Sequence, residues 1–248
     1  HVTVSTPGAA SHPAVDYALA GEAERTLPML LEALRDGKPV DGIPGVAYKE
    51  GSREYAVRSK GKKDLSSTPY SLLPTPYLKL PERIKDIDNL PMPAFHLLKM
   101  EEYFRTQAEG RMIKMYTSRG CTFLCSFCSV PVVAQQRFIA HSPERVISEV
   151  EYLIERWGVE EILFEDDNMS LNPKRCHKIF ELLANGDYGL RFSARNFRCD
   201  MLPLETLQLM KKSGFGTIWI TPESGSQRVL DVEVGKAMKL PDVVSSVE

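Results

Sequence analysis

Three thiols are crowded into one stretch of this chain. Cys121, Cys125 and Cys128 lie in the run Arg119-Gly120-Cys121-Thr122-Phe123-Leu124-Cys125-Ser126-Phe127-Cys128, with C-x3-C-x2-C spacing and an aromatic residue just before the last thiol. Three thiolates on one tight loop can hold three corners of a 4Fe-4S cluster and leave one iron without a protein ligand. An open metal position is a place for chemistry, as with zinc, where four protein ligands build structure and three leave room for substrate. Zinc is the competing reading of these thiols, and it needs a fourth ligand. His141, Cys176 and Cys199 are the candidates, but none forms a second paired motif with the first three.

Other residues suited to ligand chemistry lie downstream. Glu165-Asp166-Asp167-Asn168 sets three carboxylates and an amide in a row, and carboxylates accept charge-assisted hydrogen bonds from an ammonium group. The run Ser193-Ala194-Arg195-Asn196-Phe197-Arg198-Cys199-Asp200 carries two arginines, whose guanidinium groups can fork onto a carboxylate. In Thr221-Pro222-Glu223-Ser224-Gly225-Ser226-Gln227 the Glu223 carboxylate is placed to accept hydroxyl groups, and the small residues let a ligand come close to the backbone. A solvated helix-capping turn and surface ion pairs account for the same residue types.

The elements that must position these residues repeat as strand, loop and helix beyond residue 110. Residues 112–117 read as a strand feeding the cysteine loop. Ser142 caps a helix with Pro143 at its first position, Val146, Val150, Leu153, Ile154 and Trp157 line one face, and Gly158 ends it. Residues 161–164 form the second strand, and Asn172-Pro173 opens a helix with Cys176, Ile179, Phe180 and Leu183 as its apolar stripe. The third strand is expected at 190–194. A third helix, marked by Leu204, Leu207 and Met210, stops at Gly214, and the fourth strand follows at 217–220. Strands alternating with helices in this way imply a parallel sheet. In parallel β/α barrels functional groups gather on the loops after the carboxyl ends of strands, where every motif above falls.

The earlier part of the chain reads differently. Residues 15–20 form a short apolar run, Gly21-Glu22 turns it, and Leu27, Leu30, Leu31 and Leu34 recur at helical spacing up to Gly37. Residues 46–48 and 55–57 flank Glu50-Gly51 as an expected hairpin. From 58 to 110 six prolines, Pro69, Pro74, Pro76, Pro81, Pro91 and Pro93, forbid long regular elements. The opening at 2–8 looks like the end of a strand and the close at 239–248 like the start of a helix, so the expectation is a fragment.

Composition bounds the function. The 248 residues are 43% hydrophobic and 26% charged, which indicates a globular chain. A net charge of -2 with no basic stripe points to a small-molecule substrate and away from nucleic acid. Five cysteines, three of them crowded, suit a reducing compartment. No apolar run reaches the roughly 20 residues of a membrane helix, no signal peptide opens the sequence, and a cytoplasmic location is expected.

With its flanks, the cysteine loop resembles the radical S-adenosylmethionine (SAM) superfamily, whose loop is C-x3-C-x-aromatic-C. The Phe164-x-Asp166-Asp167-Asn168 form, the segments Gln136-Arg137-Phe138 and 141–146, and Leu90-Pro91-Met92-Pro93-Ala94-Phe95 resemble its cobalamin-associated branch. The resemblance is strong from 111 to 231 and weaker before. It implies an α/β fold: a partial parallel (β/α) barrel of the radical SAM type, truncated here after four of six units and preceded by the end of a small flavodoxin-like α/β domain. The domains would be 1–56, the end of a cobalamin-binding domain; 57–110, a Pro-rich linker; and 111–248, the radical SAM domain. It further implies a 4Fe-4S cluster on Cys121, Cys125 and Cys128. Asp166 and Asp167 would hold the SAM amine, Glu223 the ribose with Ser224 beside it, Arg198 the carboxylate, and Phe127 would lie near the adenine. Thr221-Pro222 departs from the family's usual Gly-aliphatic pair ahead of this glutamate. The implied activity is reductive cleavage of SAM for methyl transfer or another radical transformation. Cobalamin is an expected cofactor and a flavodoxin or ferredoxin an expected electron donor. The D-x-H-x-x-G run that carries cobalamin's lower axial histidine in many such domains is absent from these residues. A radical SAM enzyme without cobalamin and a non-catalytic iron-sulfur or zinc module are the alternatives.

Overall fold

The computed structural model describes residues 9–10, 12–48, 81–107 and 110–247. The chain forms two compact units, residues 1–85 and 86–248. No helix among the described residues is long and apolar enough to cross a membrane.

The first unit pairs β1 (Tyr17–Leu19) with β2 (Val46–Tyr48) in antiparallel register and packs α1 (Ala23–Arg35) beside them. Among the described residues its buried apolar side chains form two clusters, one of Leu30, Ala33, Val40 and Val46 and one of Ala10, Ala18 and Ala47. Of the four leucines that suggested the helix, only Leu30 is buried; Thr26 and Ala33 complete the inner face, while Leu27, Leu31 and Leu34 are exposed. β2 takes β1 as its partner, and the expected hairpin mate at 55–57 lies outside the described residues, as does the expected strand end at 2–8. Glu22 ties residues after the described gap to this unit: its carboxylate accepts from Arg83 Nη2 at 3.0 Å and from the Ile84 amide at 2.7 Å.

The second unit begins with α2 (Met100–Thr106), which buries Met100 and Phe104 against the main core, so residues 86–107 are packed structure within the span expected as a linker. A four-stranded sheet follows in the order β3 (Met112–Met115), β6 (Glu161–Phe164), β7 (Arg191–Phe197), β8 (Phe215–Ile220), with every neighbouring pair parallel. Each strand is laid down next to the one before it, without the reversal of order that marks an open doubly wound sheet. The connecting helices α4 (Pro143–Trp157), α5 (Pro173–Gly186) and α6 (Leu204–Lys212) share one apolar core with the sheet. The unit is a partial parallel β/α barrel.

The helix boundaries follow from local chemistry. Ser142 Oγ accepts from the Arg145 amide at 3.1 Å and Asn172 Oδ1 from the Arg175 amide at 3.1 Å, and in both helices proline takes the first position. Gly158 ends α4 in the left-handed region. Val146, Val150, Leu153, Cys176, Ile179, Phe180 and Leu183 are all buried, as their periodicity predicts. Phe164, Phe192 and Phe215 come from three neighbouring strands and stack with centroids 5.5 to 6.0 Å apart. In α6 Met210 is buried as expected, but Leu204 is 69% exposed and Thr206 is buried instead. Gly214 has φ of +100°, and a Cβ there would sit 2.5 Å from the Leu190 carbonyl oxygen.

Three strands differ from their expected bounds, β8 by starting two residues early, at Phe215. β3 stops at Met115, because the chain leaves the sheet to form β4 (Ser118–Arg119), which pairs antiparallel with β5 (Ile139–Ala140). β7 runs on to Phe197 through a register irregularity between Ala194 and Phe197, where Asn196 has φ of +62°. Such a bulge re-aims the residues after it; here it sends Phe197 into the core and delivers Arg198 beside the cysteine loop. The chain ends in α7 (Leu240–Val247), in line with the expected helix start.

Candidate active site

The cysteine loop is the segment between β4 and α3 (Val130–Val133), so the β4–β5 ladder closes its base. Gly120 enters it with φ of +90°, and a Cβ at this position would lie 2.0 Å from the Arg137 carbonyl oxygen. Only glycine lets the two sides of the loop come this close. Cys128 N donates to the Cys125 carbonyl at 3.0 Å, which turns the chain between the second and third thiols. All three thiols are half-buried. Burial pushes the Cys125 thiol up, Cys128 and Cys121 push it further, and Lys236 and Arg198 pull it back. Among the described residues no three His, Cys, Asp or Glu side chains stand in a metal-holding arrangement. The loop itself supplies three thiols as a donor set. By donor chemistry it fits an iron-sulfur group: three soft thiolates on one segment, with no fourth thiol in the loop. Phe127 is 63% exposed, on the rim of this loop.

The acidic run after β6 divides its work between neighbours. Asp166, expected at the SAM amine, is fully buried and faces inward. Its Oδ1 accepts from the Thr117 amide at 3.0 Å, from Thr117 Oγ1 at 2.9 Å and from Ser118 Oγ. These bonds fix the turn from β3 into β4, which makes Asp166 a brace beneath the cysteine loop. Burial pushes its carboxyl up, and the Ser118 and Thr117 bonds and the Arg175 charge only partly offset this. Its Oδ2 has no hydrogen-bond partner among the described residues. Asp167 faces the loop: its Oδ2 accepts from the Gly120 amide at 2.7 Å, and the residue is otherwise exposed. Asn168 Nδ2 reaches the Cys121 sulfur at 3.8 Å.

Arg198 and Glu223 meet on a segment that the sequence did not mark. Arg198, expected at a carboxylate of the ligand, is 5% exposed and forks onto Asp200, with Nε–Oδ1 of 3.1 Å and Nη2–Oδ2 of 2.6 Å. It also donates to the Lys236 carbonyl at 2.7 Å and the Ala237 carbonyl at 3.0 Å, and lies 4.0 Å over the Phe123 ring. This leaves little of its guanidinium for a ligand. Glu223 has φ of +72° at the end of β8, and its Oε1 accepts from Lys236 Nζ at 2.8 Å. Lys236 is 5% exposed and also bonds the Thr221 carbonyl. Ser224 Oγ accepts from the Ser226 amide at 3.1 Å, which shapes the turn after Glu223. Just before Lys236, a π-helical turn (Val229–Val234) holds the cysteine loop: the Ser126 amide donates to the Val234 carbonyl at 2.9 Å and Ser126 Oγ to the Glu233 carbonyl at 2.6 Å.

Residues 229–237 therefore tie the thiol loop to the Glu223 turn. Lys236 and Ser126 were missed in the sequence because a lysine after a glycine, or a serine between cysteines, carries no local signal of partners so far along the chain. On the sheet face away from the helices, Glu165 pairs with Lys114 at 2.8 Å and Arg195 at 3.2 Å, and Arg195 lies 5.2 Å over Trp219. The thiols, Asp167, Asn168 and Glu223 all lie at the carboxyl ends of the parallel strands.

The profile of the radical SAM superfamily matches residues 115–243, which span the thiol loop, the acidic run and the Glu223 turn. The chain belongs to the radical SAM superfamily. Within it, the chain is 31% identical over 237 residues to an uncharacterized methyltransferase of Pyrococcus horikoshii, a match covering 95% of this chain and 46% of the relative. It is 30% identical over 244 residues to the cytidylyl-2-hydroxyethylphosphonate methyltransferase of Streptomyces wedmorensis, covering 92% of this chain and 44% of that one. The chain thus spans about half the length of these relatives. Among solved structures, the radical SAM methyltransferase TsrM of Kitasatospora setae, with tryptophan and a SAM analogue bound, superposes with a TM-score of 0.72 at 16% identity, over 99% of this chain and 45% of TsrM. The cobalamin-dependent radical SAM enzyme OxsB, with aqua-cobalamin and SAM bound, superposes with a TM-score of 0.68 at 20% identity, over 93% of this chain and 31% of OxsB. These superpositions establish a radical SAM fold for the partial barrel.

Proposed function

We propose that this chain is the cluster-bearing part of a cobalamin-associated radical SAM enzyme that transfers a methyl group to a small molecule. The observation that carries the reading is the thiol loop held between Asp167 on one side and the 229–237 segment on the other, at the carboxyl ends of neighbouring parallel strands. Cys121, Cys125 and Cys128 would hold the cluster. When bound, a 4Fe-4S cluster with an open iron supplies the electron that cleaves the sulfonium of SAM, and cobalamin supplies a methyl carrier.

The residues of this chain orient and enclose. Asp167 is the carboxylate that would meet the SAM amine, since Asp166 is spent on the turn beneath it. Lys236 holds Glu223 Oε1, and Oε2 would be the oxygen left to accept the ribose hydroxyls, with Ser224 shaping the turn. Phe127 on the loop rim would pack near the adenine. Arg198 anchors the carbonyls of Lys236 and Ala237 to β7, and serves the SAM carboxylate only through what remains of its guanidinium. Methyl transfer rests on the named relatives, and cobalamin on OxsB and on TsrM, which also has a structure with cobalamin and a [4Fe-4S] cluster bound. Residues 1–56 are read as the end of a cobalamin-binding domain. A flavodoxin or ferredoxin in a reducing cytoplasm would deliver the electron.

The test is anaerobic reconstitution of the full-length protein with iron and sulfide, dithionite reduction, and the electron paramagnetic resonance spectrum with and without SAM. A reduced 4Fe-4S signal that shifts on adding SAM is expected, and a signal indifferent to SAM overturns the reading. Cys125→Ala should lose both the intact cluster and SAM cleavage. Binding of cobalamin by the full-length chain tests the second cofactor separately.

A further inference from the structure

Asn168 lies between the acidic run and the thiols and is 2% exposed. Its Oδ1 accepts from Ser170 Oγ at 2.8 Å, and Ser170, fully buried, in turn accepts from the Arg198 amide at 3.3 Å. Ser170 Oγ accepts the Arg198 N–H and donates its own proton to Asn168 Oδ1, which leaves the NH2 group of Asn168 on the opposite side. That NH2 group faces Cys121 Sγ at 3.8 Å. A relay from the bulged end of β7 thus orients one buried amide at one half-buried thiol.

We propose that Asn168 is a positioning residue for the cluster, donating an N–H···S hydrogen bond to the Cys121 thiolate and so setting the cluster's reduction potential. The inference rests on the assignment of the cluster to this loop. Adding an electron makes the cluster more negative and its sulfurs better acceptors, so an N–H donor favours the reduced form and raises the potential. The bond brings a low-potential cluster within reach of a protein electron donor. Ser170 acts one step back, by keeping the amide from turning.

The experiment is a potentiometric titration of the full-length protein, reconstituted anaerobically, followed by electron paramagnetic resonance. Wild type, Asn168→Leu and Ser170→Ala are compared at matched iron and sulfide content. Leucine is close in size and adds no charge, so a shift reports the lost donor. The expected result is a more negative midpoint for Asn168→Leu and a smaller shift in the same direction for Ser170→Ala. An unchanged midpoint in a fully loaded Asn168→Leu protein overturns the proposal. If that variant does not load, Ser170→Ala decides, and an unchanged midpoint there overturns it. A wild-type protein that assembles no 4Fe-4S cluster would instead overturn the cluster assignment itself.

Discussion

Asp166 and Asp167 are chemically alike and adjacent, yet one is interior and the other is at the site. An extended chain sends successive side chains to opposite faces, so a pair of carboxylates after a strand cannot both face the ligand. Among the described residues, Thr117 Oγ1 and Ser118 Oγ both donate to Asp166, which also accepts from the Thr117 amide. Asp166→Ala should therefore destabilise the fold by about 3 kcal/mol or more, since each orphaned donor costs roughly 1–3 kcal/mol. Asp166→Asn keeps the Oδ1 acceptor and removes a buried charge, so its loss should be clearly smaller. Urea unfolding of both variants measures the difference, and equal losses would contradict the brace. Arg198 teaches the same lesson: a guanidinium expected at a ligand is committed to Asp200 and two carbonyls.

The 229–237 segment and the start of α4 show how elements transmit these roles. Lys236 joins the end of β8 to the segment that grips the cysteine loop. Lys236→Met should weaken SAM binding by roughly tenfold to a hundredfold, the equivalent of about 1.5–3 kcal/mol for a lost charge-assisted bond. Equilibrium dialysis on the reconstituted protein would show this, and cluster content should stay unchanged. At α4, the Asp88 carboxylate accepts from the Ser142 amide at 3.0 Å and meets His141 Nδ1 at 3.0 Å. Burial pushes the Asp88 carboxyl up, but its bonds from Ser142 and His141 outweigh this and hold it below the usual range. Burial holds His141 below its ordinary value despite Asp88. A histidine depressed in the folded state stabilises as the neutral ring, a contribution present above about pH 6.5 and lost as pH falls toward the folded value. The Asp88 contribution is lost lower, below about pH 3.9. The urea midpoint should thus fall between pH 7 and 5, and His141→Gln should flatten that part of the profile.

At the scale of the whole chain, the described residues of the second unit join four parallel strands and their helices in one core, whereas those of the first show two three-residue strands, one helix and two small apolar clusters. Hydrogen exchange should be slowest in β6 and β7, which are paired on both sides, and markedly faster in β1 and β2. Comparable protection in the two units would show that they unfold as one. A parallel sheet is ordinarily covered on both faces. Here the helices cover one, and the other carries the Lys114, Glu165 and Arg195 charges with exposed Trp219.

Sequence alone determined the thiol loop, the order of the four sheet strands and their three connecting helices, and the helix starts at Ser142 and Asn172. These depend on residues within a few positions of one another, where spacing and capping chemistry act directly. It also held Glu223 at a strand end and the family resemblance that the profile match supports. Only the tertiary structure decided which carboxylate faces the loop, where Arg198 spends its donors, and that Lys236 and Asn168 belong to the site. Those outcomes rest on sheet register, on the bulge in β7, and on partners as far apart as the 47 residues between Asn168 and Cys121 and the 38 between Arg198 and Lys236. A one-residue change of register reverses which side chains face inward, and the pairing that selects it involves strands distant in sequence.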